Sequence, residues 1–145
     1  MITSVDTSVL LDVFNADPSF GPRSSEALRR CLREGRVTAC DVVWAELGAF
    51  FASSEAIGDA MRRLGVEFDA LSIDAALQAG TSWRRYRERG GSRDRVIADF
   101  LIGAHASAQA ERLLTPRSRV LSSLLRAAAP AGPRSQLVLS QFVIP

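Results

Sequence analysis

The chain has 145 residues and a mass of 15.7 kDa, the size of one ordinary domain, and its 47% hydrophobic and 23% charged content excludes a disordered, collagen-like or disulfide-scaffold protein. All 18 permanently cationic side chains are arginine, which rules out Schiff-base chemistry, a Walker-type phosphate lysine and a phosphate-receiver lysine. A net charge of +2 tolerates an anionic partner without naming one, and the two cysteines, Cys31 and Cys40, are too few for a metal–thiolate site.

Residues 1–5 predict a short β-strand, after which Asp6, Thr7 and Ser8 offer caps for a helix over residues 9–14. Residues 15–22 hold two prolines and a glycine and predict a loop, and Ser24 then opens a helix that places Ala27, Leu28, Cys31 and Leu32 on one face before Gly35 stops it. Residues 37–39 predict a second strand. Asp41 caps a helix through Phe51, Ser53 or Ser54 caps another through Leu64 and Gly65, and residues 66–71 predict a third strand. Ser72 begins a long helix to about Arg89, Gly90 and Gly91 end it, and Ser92 or Asp94 starts one that runs to about Gln109. Residues 112–115 predict a fourth strand. This β-α-β-α order implies a parallel sheet with helices on both faces and a site beyond the carboxyl ends of the strands, all in a single domain over residues 1–145. Further on, residues 127–133 predict a loop, and residues 137–139 and 142–144 an edge strand. The chain opens without a signal segment and nowhere reaches the roughly 18 apolar residues of a membrane span, so a cytoplasmic protein with no membrane association is expected.

Three acids interrupt apolar runs: Asp6 before Val9-Leu10-Leu11, Glu46 inside Val42-Val43-Trp44-Ala45-Glu46-Leu47, and Asp99 inside Val96-Ile97-Ala98-Asp99-Phe100-Leu101-Ile102. An unpaired buried carboxylate costs several kcal/mol, so each must be hydrogen-bonded, paired, protonated or gathered around a metal. Singly, Asp6 also reads as a helix cap, and Glu46 and Asp99 as solvent-facing helix positions. Together, with oxygen ligands and no histidine or cysteine cluster, they point to Mg²⁺ or Mn²⁺ and to phosphoester hydrolysis. Asp12 reads as a solvated helix position. A haloacid-type phosphatase fits poorly, since Asp6 is followed by Thr7-Ser8 rather than by a second acid two residues on, and a dinucleotide site lacks its glycine-rich turn.

On these residues the chain resembles the PIN-domain family, most closely the VapC-type ribonuclease toxins of toxin–antitoxin pairs, over residues 1–115. The signatures are Val5-Asp6-Thr7-Ser8-Val9-Leu10-Leu11-Asp12-Val13, then Val42-Val43-Trp44-Ala45-Glu46-Leu47, then Ala98-Asp99-Phe100-Leu101-Ile102-Gly103-Ala104-His105-Ala106. The resemblance implies a three-layer α/β/α sandwich with a central parallel sheet and a metal-dependent endoribonuclease in which Asp6, Glu46 and Asp99 ligate Mg²⁺ or Mn²⁺. It further implies that Thr7 or Ser8 helps to orient the site, that a VapB-like antitoxin is the partner, and that the protein is a homodimer.

The family pattern then expects Leu-Leu-Thr-Arg-Asp-Arg-Gly-Phe-Tyr, whereas this chain reads Leu113-Leu114-Thr115-Pro116-Arg117-Ser118-Arg119-Val120-Leu121. Arg117 stands where the fourth acid is expected, with Ser118 or water to fill the vacant position. Suitable synonymous codons for residues 115–125 become Thr-Arg-Asp-Arg-Gly-Phe-Tyr-Arg-Arg-Tyr when one base is deleted, so a one-base insertion accounts for the tail. The alternative function is therefore a catalytically impaired PIN-domain protein that retains antitoxin binding only.

Arg84, Arg85, Arg87, Arg89, Arg93 and Arg95 flank the Gly90-Gly91 break; Arg87, Arg89, Arg93 and Arg95 are candidate RNA contacts, against the reading of a plain solvated helix face. His105 is expected to be structural rather than a general base. Trp44, Phe50 and Phe51 are expected in the core or in an antitoxin groove rather than as nucleobase-stacking platforms.

Overall fold

The computed structural model describes residues 1–91 and 97–116; Arg93, Arg95, Arg117, Ser118 and the expected tail elements lie outside the described residues. Among the described residues four strands, β1 (Ile2–Val5), β2 (Arg36–Ala39), β3 (Val66–Phe68) and β4 (Arg112–Leu114), form one parallel sheet in the order β3-β2-β1-β4. Thr3 stands opposite both Val37 and Arg112, which fixes the register of the central strand against its two neighbours. Three successive residues are buried at Thr3–Ser4–Val5 and again at Val37–Thr38–Ala39. A strand buried without alternation is covered on both faces, as parallel sheets are.

Among the described residues six helices supply that cover: α1 (Thr7–Phe14), α2 (Gly21–Glu34), α3 (Asp41–Gly48), α4 (Ser54–Leu64), α5 (Ile73–Glu88) and α6 (Ile97–Gln109). Crossovers carry α1–α2 and α3–α4 on the way from β1 to β3, and α5–α6 on the return to β4; the rule that parallel connections are right-handed places the two sets on opposite faces. Adjacent residues of β1 show the two faces: the Thr3 hydroxyl meets the Cys31 thiol of α2, whereas Ser4 meets His105 of α6. The main core gathers Val5, Val9, Leu10, Leu28, Val37, Val43, Leu47 and Met61, and a second cluster of Ala75, Ala79, Phe100 and Ala104 glues α5 to α6.

Local signals explain the helix ends that the sequence locates well. Ser53 accepts the Ala56 N–H at 3.1 Å, Ser72 accepts the Ala75 N–H at 3.2 Å, and Gly65 takes the left-handed conformation (φ 75°) that ends α4. Elsewhere tertiary contacts move the boundaries. Helix α2 begins at Gly21 with Pro22 in its first turn, not at Ser24, because proline there gives up only an N–H that has no helical partner. Ser24 is instead buried and donates to Asp12 at 2.7 Å, so Asp12 ties α1 to α2 and is no idle solvated acid. Helix α3 stops at Gly48 rather than Phe51, and its N-cap is Cys40. Asp41 lies inside the first turn and accepts the Leu71 N–H at 2.6 Å. That bond belongs to a chain that has already left the sheet, which is why β3 ends at Phe68 instead of residue 71.

Candidate metal centre

The strand order reverses between β1 and β4, the topological switch point where parallel α/β sheets open a crevice at their carboxyl ends. Asp6 follows β1 directly, Thr115 follows β4, and the Asp6 N–H bonds to the Leu114 carbonyl at 3.0 Å. Although Asp6 occupies the N-cap position of α1, its side chain makes no cap bond. Its Oδ2 accepts two hydroxyls instead, from Ser8 and from Thr115, both at 2.8 Å. The helix-cap reading is thereby replaced: this carboxylate is 8% exposed and held by neutral donors.

Glu46 enters from the second half of α3, where Thr7 Oγ1 donates to its Oε2. Asp99 enters from the first turn of α6, a position at which the helix dipole favours an anion. A cleft of about 380 Å³ brings the three together; Asp6, Thr7, Ser8, Glu46 and Asp99 line it with Leu11, Ala49 and Phe50. All three acids singled out in the sequence, and both hydroxyls beside Asp6, therefore share one opening. Thr115 is the contributor that the sequence reading passes over. As the expected last residue of a strand it carries no polar signal, yet β4 ends at Leu114 and frees its hydroxyl for Asp6.

Among the described residues no three His, Cys, Asp or Glu side chains converge closely enough to enclose a metal ion. The donor set nevertheless fits Mg²⁺ or Mn²⁺. Such hard ions take oxygen ligands, keep several waters and need only one or two direct carboxylates, the remaining acids acting through water. Both bonds to Asp6 among the described residues fall on Oδ2.

A family model settles the classification: the one described as "PIN domain" matches residues 4–116. The chain belongs to the PIN-domain family. Solved structures similar to this PIN domain include VapBC-1 from nontypeable Haemophilus influenzae (TM-score 0.65, 21% identity, 87% of this chain and 93% of that one covered). VapBC2 from Rickettsia felis, bound to a promoter DNA fragment, is similar at TM-score 0.64 and 20% identity, covering 81% of this chain and 89% of that one. Mycobacterium tuberculosis VapC20, described as a sarcin-ricin loop cleaving toxin, is similar at TM-score 0.57 and 19% identity, covering 83% and 93%. No curated protein matches.

Other candidates of the PIN domain lie elsewhere. His105 is fully buried between Ser4 and Asp69 and does not line the cleft. Arg87 stacks over Trp83 at 5.3 Å and, with Arg84, Glu88 and Gly91, lines a separate cavity of about 410 Å³. Arg89 is exposed at the end of α5. Phe51 packs edge-on against Phe14 and Trp44 against Phe68, as core expectations have it, but Phe50 is exposed at the mouth of the cleft. Burial pushes the thiols of Cys31 and Cys40 up, which makes both inert. No helix among the described residues is long and apolar enough to cross a membrane.

Proposed function

We propose that this PIN domain is a metal-dependent endoribonuclease, the toxin component of a VapBC-type pair, that hydrolyses RNA phosphodiesters in the cytoplasm. The observation that carries the reading is the meeting of Asp6, Glu46 and Asp99 in one cleft at the switch point of the sheet. When bound, Mg²⁺ or Mn²⁺ polarises a phosphoryl oxygen and lowers the pKa of its water. The chain's own part is to hold and orient. Ser8 and Thr115 fix Asp6, Thr7 fixes Glu46, and α6 presents Asp99 from its first turn. Arg87 and Arg89, together with Arg93 and Arg95, would guide the RNA backbone by phosphate contacts.

An RNA substrate is supported by the likeness to VapC20, a toxin that cleaves the sarcin-ricin loop. A VapB-like antitoxin is supported by the two VapBC structures of the same fold, and a homodimer is the assembly we propose with it. Arg117 in place of a fourth acid, and the open spacing of the three acids, favour one competing reading: a PIN-domain protein that has lost its chemistry and retains antitoxin binding only. The discriminating experiment is incubation of total RNA with the purified protein and Mn²⁺ or Mg²⁺, with EDTA and Asp6→Ala as controls. Discrete fragments that vanish in both controls are expected; intact RNA from folded protein would establish the impaired form.

A further inference from the structure

We infer that Phe50 is a stacking platform for a nucleobase of single-stranded RNA and holds the nucleotide next to the acidic cleft. This rests on the ribonuclease reading above. Of the aromatic side chains in residues 44–51, Trp44 meets Phe68 at 5.9 Å and Phe51 meets Phe14 at 5.1 Å. Phe50 has no ring partner among the described residues and is 66% exposed, so it forgoes the burial that normally accounts for a phenylalanine. Its backbone is fixed, since the Phe50 N–H bonds to the Leu47 carbonyl at 2.9 Å where α3 ends. Its ring lines the same cleft as Asp6, Glu46 and Asp99.

The proposed reaction narrows the occupant. Under the ribonuclease reading the scissile phosphodiester lies at Asp6, Glu46 and Asp99, so the base adjoining it comes within reach of Phe50, which lines the same cleft. A flat, neutral base needs no counter-charge there, and stacking on an aromatic ring accepts any base because every base has a π-face.

The test uses single-stranded RNA decamers in which 2-aminopurine replaces one base at a time, read by fluorescence quenching for binding and by gel with Mn²⁺ for cleavage. Phe50→Ala is expected to lose the quench and raise KM about tenfold, with a smaller effect on kcat. Phe50→Leu should behave like Phe50→Ala, having apolar bulk but no π-face, and Phe50→Trp should restore both readouts. An abasic site at the quenched position should cost the wild type the same factor and cost Phe50→Ala nothing further. Wild-type quench and KM in Phe50→Ala, or full function in Phe50→Leu, would overturn the inference, as would a defect confined to binding a protein partner. Cleavage that is indifferent to Phe50 would leave the ribonuclease reading standing without it. Quenching by a protein that never cuts RNA would remove the ribonuclease reading and retain the stacking.

Discussion

Both hydroxyls of the described residues that reach Asp6 end on Oδ2, so the protein fixes the carboxylate through one of its two oxygens. A hydrogen bond to a charged acceptor contributes about 2 kcal/mol, and Thr115→Val removes one such bond at nearly constant volume. Thr115→Val is expected to lower cleavage roughly 30-fold at limiting Mn²⁺. Added Mn²⁺ should recover much of the loss, because the defect lies in how Asp6 is presented; a Mn²⁺ titration of cleavage rate checks this. His105 illustrates a different economy. Ser4 Oγ lies 3.1 Å from its Nδ1 and Asp69 Oδ2 2.9 Å from its Nε2, a Ser–His–Asp chain of the hydrolase type. Ser4 is only 1% exposed, so no substrate reaches that hydroxyl, and the chain acts as a strut from β1 through α6 to the segment after β3. His105→Ala leaves a cavity and two polar groups without their partner. It should destabilise the fold by about 3 kcal/mol, read as a lower urea midpoint.

At the scale of elements, the least expected feature is an arginine inside the sheet. Arg112 of β4 is 5% exposed, donates to Thr3 Oγ1 at 2.6 Å and pairs with Glu34 at the end of α2. Hydrogen bonds from Arg30 and then Arg112 hold the Glu34 carboxyl below its ordinary value, and Arg36 does the same for Glu67 where β2 meets β3. An acid whose folded pKa is depressed contributes stability that is fully present above its unfolded pKa, near 4.5, and is lost as pH falls through the folded value. Urea midpoints should therefore hold steady from pH 7 to about 5 and decline below 4.5. Glu34→Gln should flatten part of that decline, and a midpoint that rises on acidification would contradict the assignment. Element order and the parallel sheet were legible because serine caps, glycine stops and apolar spacing act locally. The end of β3 was not, because Asp41–Leu71 joins residues 30 positions apart, nor was the burial of Ser24, whose partner Asp12 lies 12 positions back.

For the whole molecule, the acidic site was legible in outline because Asp6, Glu46 and Asp99 each break an apolar run that the fold must bury. Thr115 and Phe50 were not, since a threonine ending a strand and a phenylalanine in an apolar run look like ordinary core until the fold aims the buried Thr115 hydroxyl at Asp6 and leaves Phe50 exposed. The same limit meets the tail, where the family match stops at residue 116, one position before Arg117. A one-base insertion early in residues 115–116 would account for both the end of that match and the cation at the expected fourth acid. The expectation is specific: the gene's codons for residues 115–125 should read Thr-Arg-Asp-Arg-Gly-Phe-Tyr-Arg-Arg-Tyr once a single base is removed, and any other reading in that frame sinks the idea. Its physical consequence is separately measurable. Deleting the base exchanges the Arg117 guanidinium for a carboxylate at the position where the family pattern expects an acid, and affinity for a hard divalent ion rises with the number of anionic ligands. The edited protein should then reach half-maximal RNA cleavage at about tenfold lower Mn²⁺, and an unchanged Mn²⁺ dependence would show that residue 117 lies too far from the three acids to act on the ion they share.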